Sequence, residues 1–140
     1  MSKVFLDKNG IIENNMEEYY NKLDDTNQRV FKYYERARKN ANLFIETGCN
    51  VGNSLTHVKQ LGYQSFSCDI DLDCVRKCEG LGEIYHLDSV SFLKKIIPDL
   101  NERALFWLDA HDNSQAPIFE ELDVIATSKI KDHIIMIDDL

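Results

Sequence analysis

Short apolar runs alternate with segments of helical periodicity from Asn42 to the end of the 140-residue chain. Runs of this length bounded by glycine or polar turn residues predict buried strands, and the segments between them predict helices. Strands are predicted at residues 43–46, 65–69, 83–87, 105–108 and 133–137. Helices are predicted over residues 54–61, in a segment ending at Cys78, over 90–97 and over 118–127. Because strands joined by helices form parallel sheets with both faces covered, the pattern predicts an α/β fold.

The first 40 residues follow a different pattern, in which apolar and aromatic residues recur at helical spacing. This segment predicts one or two amphipathic helices, with Asp25 or Thr26 as an N-terminal cap. Such a helical segment, residues 1–40, either covers one face of the sheet or forms a lid over a substrate site. Residues 41–140 then form a single core domain, since neither a linker nor an internal repeat interrupts them.

Composition and charge narrow the class of protein. With 44% hydrophobic and 29% charged residues, the chain has the composition of a soluble globular protein. Its net charge of −8 disfavours a nucleic-acid partner, which needs a concentrated basic surface. No apolar run approaches the roughly 20 residues of a membrane span and the N-terminus lacks a secretion signal, so we expect a cytoplasmic protein with no membrane partner. The four cysteines indicate neither a disulfide framework nor a zinc site, and we expect free thiols.

Polar residues follow every predicted strand at its carboxyl end. In a sheet of this kind a ligand lies at that edge, where the strand order reverses. One acid after a strand is weak evidence, because it often only caps the next helix, as Asp88 with Ser89 would. Five such ends together indicate a site for a nucleoside-like cofactor. The residues concerned are Glu46, Gly48 and Gly52, Asp69 and Asp71, Asp88 and Ser89, Asp109, His111 and Asp112, and Asp138 and Asp139.

The stretch after the first predicted strand, E-T-G-C-N-V-G-N-S at residues 46–54, carries the most specific motif. Gly48 and Gly52 have no Cβ, so the backbone there can approach a ligand closely. Cys49 and Asn50 occupy the places where the dinucleotide fingerprint G-x-G-x-x-G has its second glycine. The stretch instead resembles E-x-G-x-x-x-G-x-S, the first motif of class I S-adenosylmethionine-dependent methyltransferases.

Three aspartates form a second group of candidate residues. If the fourth and fifth strands are neighbours, about 4.8 Å apart, the carboxylates of Asp109, Asp138 and Asp139 converge at one place. Ligands that are all oxygen suit magnesium, manganese or calcium rather than zinc. The alternative is that Asp138 or Asp139 only caps a following element.

The pairing of W-L-D-A-H after the fourth strand with M-I-D-D-L after the fifth resembles the macrocin-type sugar O-methyltransferases, whose magnesium is held by acids at those two strand ends. The resemblance covers residues 42–140. It implies a Rossmann-like, doubly wound parallel sheet of strand order 3-2-1-4-5. It also implies methyl transfer from S-adenosylmethionine to a hydroxyl of a sugar or other small molecule, assisted by Mg²⁺ or Mn²⁺. Because the full core of these enzymes has two further strands, we expect a fragment or a minimal member.

The same resemblance implies a role for each candidate residue. The methionine part of the cofactor would be lined by Glu46, Gly48, Asn50 and Gly52. The ribose would be bound by Asp69 with Asp71 beside it, and the adenine would lie near Asp88 and Ser89. The metal would be held by Asp109, Asp138 and Asp139, with Asp109 or His111 as the catalytic base.

Two other functions fit parts of the pattern. The string D-A-H-D at residues 109–112 is similar to the D-A-H-x-D metal motif of arginase-like hydrolases, although the spacing differs by one residue. A non-catalytic domain that binds the cofactor without turnover is the other alternative. A manganese hydrolase should respond to manganese and ignore S-adenosylhomocysteine, which separates it from a methyltransferase.

Overall fold

The computed structural model describes residues 4–7, 10–109 and 117–138, and within these ranges it describes side chains from Met16 onward. The strands are β1 (Val4–Asp7), β2 (Gly10–Asn15), β3 (Leu43–Thr47), β4 (Gln64–Asp69), β5 (Glu83–His86), β6 (Ala104–Leu108) and β7 (Ile134–Ile137). The helices are α1 (Met16–Asn21), α2 (Asp25–Ala37), α3 (Asn53–Gln60), α4 (Leu72–Lys77), α5 (Ser89–Ile96) and α6 (Ile118–Ala126). A short 3₁₀ turn, Ile97–Asp99, follows α5.

Strands β3 to β7 form one sheet in which every pair of neighbouring strands is parallel. Their order is β5-β4-β3-β6-β7, which confirms the predicted order 3-2-1-4-5. The chain moves outward in one direction from β3 to β5 and then crosses to β6 on the other side of β3. The strand order therefore reverses beside β3, and the carboxyl ends of β3, β4 and β6 surround that point.

Apolar side chains cover both faces of this sheet, as predicted. The central strands β3 and β6 are buried along their whole length, which is typical of parallel strands between two layers of helices. Alternate residues of each strand belong to different clusters because successive side chains point to opposite faces. One cluster joins Phe44, Leu105 and Trp107 to Phe31 and Tyr34 of α2 and to Leu55 and Val58 of α3. The other joins Ile45, Phe106 and Leu108 to Phe92 and Leu93 of α5 and to Ile118 and Ile125 of α6.

The helices predicted for the N-terminal segment are present as α1 and α2, and a hairpin that was not predicted precedes them. Strands β1 and β2 pair antiparallel before the first helix begins at Met16. The sequence carries a signal for this hairpin, since the turn-forming dipeptide Asn9-Gly10 lies between two short apolar stretches. The sequence prediction rested only on the helical spacing of the aromatic residues further along the segment.

The N-terminal cap of α2 lies before both predicted caps. Its N-terminal cap is Asp24, whose Oδ1 accepts a hydrogen bond from the Asn27 backbone N–H at 2.8 Å. The predicted caps, Asp25 and Thr26, are the first two residues of the helix itself. Phe31 and Tyr34 of α2 are fully buried against the sheet. Of the two predicted roles for the segment, covering a sheet face is therefore the role that α2 fulfils.

The four cysteines are free thiols, as predicted, and Cys49, Cys68 and Cys78 are buried. Burial raises the pKa of the Cys68 thiol to about 12, so this sulfur stays protonated at neutral pH. Within the described part of the chain, no helix combines the length and the apolar character that crossing a membrane requires.

Candidate cofactor site

The candidate residues meet at the carboxyl edge because the strands pair in register. Thr47 at the end of β3 pairs with Cys68 of β4 and Leu108 of β6, and Leu108 pairs with Ile137 of β7. The residues that follow these positions therefore come to the same edge of the sheet. Glu46, Asp109 and Asp138 also share one face, the face covered by α2, because they continue the alternation of Phe44, Trp107 and Met136.

The loop after β3 has an unusual backbone conformation. Three of its five residues are left-handed: Gly48 at φ +87°, Asn50 at φ +49° and Gly52 at φ +89°. The backbone N–H groups of Gly48 and Cys49 both donate to the Cys68 carbonyl, at 3.0 and 2.8 Å. The loop is thereby folded over the end of β4 and enters α3 directly, with Gly52 as the residue before the helix.

Gly52 has a packing role that the sequence interpretation missed. A Cβ built at this position would lie 2.7 Å from Leu81 Cδ1 and 3.3 Å from Cys78 Sγ. Gly52 is buried against the segment between α4 and β5. The lack of a side chain at Gly52 therefore allows two parts of the protein to pack closely. The sequence had instead predicted that a ligand approaches the backbone at Gly52. The direct approach of a cofactor remains a prediction for Gly48.

Asp69 links the first two loops of the site. Its Oδ2 accepts the Asn50 backbone N–H and its Oδ1 accepts the Asp71 backbone N–H, both at 3.0 Å. A carboxylate has about four lone-pair positions, so this group can accept further hydrogen bonds from a diol. The side chain is thus held in place and retains acceptor capacity, and its contact with a ribose stays a prediction.

Two of the predicted cofactor residues, Asp71 and Asp88, cap helices, and a third, Ser89, begins one. Asp71 Oδ1 accepts the Asp73 N–H at 2.8 Å and caps α4. Asp88 Oδ2 accepts the Ser91 N–H at 3.0 Å and caps α5, and hydrogen bonds from Ser91 lower the pKa of Asp88. Ser89 is the first residue of α5 and is buried. The capping alternative is thus observed for Asp88, and contact of Asp71, Asp88 or Ser89 with a cofactor stays a prediction.

Glu46 is a buried acid at this edge whose pKa is strongly raised. Its side chain is buried, and Ser67 Oγ donates to Glu46 Oε1 at 2.8 Å. Burial raises the pKa of Glu46 to about 8, against the lowering effect of the Ser67 hydrogen bond, and the negative charges of Asp109 and Asp69 raise it further. Glu46 therefore holds a proton in most molecules at neutral pH, which makes it sensitive to any cation that binds beside it.

Asp109 and Asp138 lie side by side at the ends of neighbouring strands. The Asp109 N–H donates to the Thr47 carbonyl and hydroxyl oxygens, both at 3.2 Å, and the Asp138 N–H donates to the Leu108 carbonyl at 3.2 Å. Both residues are half-buried. The premise of the metal prediction, that these two strands are neighbours, is confirmed. The remaining predicted residues, His111, Asp112 and Asp139, lie outside the described residues, and the described ones contain no group of three potential metal ligands.

Two exposed apolar side chains at this edge were not singled out from the sequence. Ile70, between the two acids after β4, is 69% exposed, and Val51 in the first loop is 51% exposed. Their exposure leaves apolar area at this edge that a ligand can cover. The signal for Ile70 was an apolar residue inside the acidic string D-I-D-L-D.

A serine and a histidine away from this edge are in contact but do not form a nucleophilic pair. His133 Nδ1 accepts the Ala104 N–H at 3.0 Å, so the neutral ring must carry its proton on Nε2. Nε2 then donates to Ser128 Oγ at 3.0 Å. A nitrogen that donates to the hydroxyl cannot remove its proton, and this contact therefore positions the segment before β7.

Comparison with solved structures identifies the fold. The chain is similar to a SAM-dependent methyltransferase from Archaeoglobus fulgidus, with a TM-score of 0.59 and 23% sequence identity over 81% of this chain and 52% of that one. It is also similar to the magnesium protoporphyrin IX methyltransferase of Synechocystis PCC 6803 with bound SAM, with a TM-score of 0.47 and 16% identity over 74% of this chain and 53% of that one. No protein-family model and no curated protein matches the chain.

The likeness to the Archaeoglobus fulgidus structure establishes the class of fold, a Rossmann-like methyltransferase fold with strand order 3-2-1-4-5. The chain spans about half the length of the two methyltransferases. Residue roles are therefore argued from the geometry of this chain.

Proposed function

We propose that this chain forms the cofactor-binding core of an S-adenosylmethionine-dependent methyltransferase. The observation that carries the proposal is the contact between the left-handed loop after β3 and Asp69 at the end of β4. This contact joins a backbone without a Cβ at Gly48 to a carboxylate that can accept further hydrogen bonds. Both lie where the strand order reverses, which is where such sheets bind nucleotide-like ligands. The fold shared with a solved methyltransferase supports the same assignment.

Each part of the site has a task in this proposal. The backbone at Gly48 and Asn50 binds the methionine part of the cofactor, and Asp69 accepts hydrogen bonds from the ribose hydroxyls. The exposed side chains of Ile70 and Val51 offer apolar contact area beside that position. When bound, S-adenosylmethionine supplies an activated methyl group, so the protein has to orient the acceptor hydroxyl and accept its proton. Asp109 or His111 is the proposed base.

The proposed acceptor is a hydroxyl group of a sugar or another small neutral molecule. The described strand-end segments at 47–53, 69–73, 86–88, 109 and 138 contain no lysine or arginine and six aspartates. A phosphorylated or carboxylated acceptor would be repelled there, whereas a polyol can donate hydrogen bonds to the carboxylates. The net charge of −8 favours the same choice.

A divalent cation, Mg²⁺ or Mn²⁺, is the proposed second cofactor. Its ligands would be Asp109, Asp138 and Asp139. The donor set fits a hard cation, because Asp109 and Asp138 bring carboxylate oxygens to the ends of neighbouring strands and are only half-buried, so waters can complete the coordination. A bound cation would lower the pKa of the acceptor hydroxyl and orient it.

Asp138→Asn is expected to weaken Mg²⁺ binding at least tenfold, because one charged ligand is lost, and to leave the affinity for S-adenosylhomocysteine within about twofold of wild type. The cofactor affinity should not change because Mg²⁺ and the cofactor are proposed to bind at different strand ends. Paired calorimetric titrations with MgCl₂ and with S-adenosylhomocysteine measure both quantities. Asp123→Asn, an exposed aspartate on α6, is the matched control and should change neither.

The opposite result would identify Asp138 as a structural residue. If Asp138→Asn binds Mg²⁺ as wild type does and EDTA does not alter the melting temperature, the metal-assisted part of the proposal is wrong. Cofactor binding is measured separately in the same experiment, so the methyltransferase assignment is tested independently of the metal.

A further inference from the structure

A chain of hydroxyl groups connects helix α2 to Glu46, with the half-buried Ser54 between a buried phenol and a buried carboxyl group. The Tyr34 hydroxyl donates to Ser54 Oγ at 3.0 Å. The Ser54 hydroxyl lies beside the Glu46 carboxyl group and lowers its pKa against the larger raising effect of burial. Ser67 Oγ donates to the same carboxyl group from β4 at 2.8 Å. Tyr34 and Glu46 are 0% and 2% exposed, so bulk water does not reach the phenol or the carboxyl group. Glu46 is thereby held from two sides by hydroxyl groups.

The direction of the first hydrogen bond leaves the Ser54 proton available. A hydroxyl group has one proton to donate. Because Ser54 accepts from Tyr34, it can donate its own proton to the oxygen of the Glu46 carboxyl group that carries none. Without the Tyr34 hydroxyl, Ser54 Oγ loses the donor that fixes its orientation, and its own hydrogen bond to Glu46 is no longer specified.

The tyrosine ring is also held in one orientation. Its centroid lies 5.3 Å from that of Phe44 and 5.4 Å from that of Trp107, both in edge-to-face geometry. The Tyr63 hydroxyl donates to the Tyr34 backbone carbonyl at 2.6 Å. The phenol therefore has little freedom to turn away from Ser54, and the orientation of α2 is transmitted to the carboxyl edge.

We propose that Tyr34 is a positioning residue for cofactor binding, which acts through Ser54 to fix the carboxyl group of Glu46 beside the methionine part of the cofactor. This inference rests on the proposed function, because it assumes that the site binds S-adenosylmethionine. It gives the N-terminal segment a part in the site beyond covering the sheet.

A double-mutant cycle tests this role with S-adenosylhomocysteine as the probe. Tyr34→Phe keeps the ring and removes the hydroxyl, and it is expected to weaken binding about 5- to 30-fold. Glu46→Gln should weaken binding as well. The double variant should bind within about twofold of Glu46→Gln alone, because residues that act through one another are not additive.

Tyr63→Phe is the matched control. It also removes a buried phenol hydroxyl, and that hydroxyl contacts the backbone of the same helix. We expect a lower melting temperature for this variant and an affinity for S-adenosylhomocysteine within about twofold of wild type. A loss of affinity that follows general destabilisation would instead appear in both tyrosine variants.

Three results would overturn the inference. They are an unchanged affinity in Tyr34→Phe, penalties that add fully in the double variant, and an equal loss of affinity in Tyr63→Phe. Should Tyr34→Phe fail to fold, Ser54→Ala removes the middle link of the chain and has to show the same non-additivity with Glu46→Gln. If the wild-type protein does not bind S-adenosylhomocysteine, both the proposed function and the positioning role are wrong. If the wild-type protein binds and any of the three results is observed, only the positioning role is wrong.

Discussion

Replacing Glu46 with glutamine is expected to flatten the pH dependence of stability. As the pH rises from about 4.5 to about 8, we expect the wild-type protein to lose stability and the variant to keep most of it. In the folded protein the pKa of Glu46 is raised to about 8, and in the unfolded chain it returns to about 4.5. Between these values the folded state holds a proton that the unfolded state has lost, so the free energy of unfolding falls with rising pH. The total effect is on the order of 5 kcal/mol.

Urea unfolding at several pH values between about 5 and 8 measures this effect as the difference between wild type and Glu46→Gln. Glutamine has nearly the same shape and does not titrate, so the difference isolates the carboxyl group. Glu120→Gln, at an exposed position on α6, should keep the wild-type slope. Parallel slopes for wild type and Glu46→Gln would contradict the assignment of Glu46 as a buried, protonated acid.

Gly48→Ala is expected to reduce the affinity for S-adenosylhomocysteine at least about 100-fold, equivalent to about 2.7 kcal/mol. Gly48 has φ +87°, so alanine is strained there by about 1–2 kcal/mol, and relief of that strain would displace the loop that Asp69 and Cys68 hold in place. The new Cβ would also stand at the proposed approach of the cofactor. Isothermal calorimetry measures the affinity, and thermal unfolding confirms that the variant is folded.

Gly62→Ala is the matched control for this experiment. Gly62 has nearly the same backbone conformation, φ +84°, and a Cβ there makes only ordinary contacts with Arg38 at 3.7 Å. It lies between α3 and β4, at the amino edge of the sheet and away from the candidate site. The two variants should lose similar stability, and only Gly48→Ala should lose affinity. Equal affinity in both would show that the loop after β3 does not contact the cofactor.

The sheet could be predicted from the sequence because its strands are short, apolar and buried. The predicted and observed bounds of β3 and β6 differ by one residue at most, since burial on both faces leaves a continuous hydrophobic run. The hairpin β1–β2 was missed because its strands are short and the segment that follows is dominated by helical spacing. The cap of α2 was misplaced because Asp24 and Asp25 have the same chemistry, and only the backbone geometry distinguishes them.

The candidate site could be predicted only as a set of residues at strand ends. The hydrogen bond from the Asn50 N–H to Asp69 depends on how two loops fold together, and no spacing in the sequence predicts it. The packing of Gly52 against Leu81 depends on a segment 29 positions away, and the contact of Tyr34 with Ser54 joins positions 20 apart. Contacts of this kind arise from tertiary packing, whereas an acid after a buried strand is visible in the sequence itself.

Calorimetric titration of the wild-type chain with S-adenosylhomocysteine tests the central claim most directly. The account predicts binding at one site per chain, displaced by S-adenosylmethionine and not by NAD. Binding should also raise the melting temperature, because a ligand held at a hundredfold excess over its dissociation constant stabilises the folded state by about 2.7 kcal/mol. An absence of binding heat together with an unchanged melting temperature, or equal binding of NAD, would contradict the assignment of this carboxyl edge as an S-adenosylmethionine site.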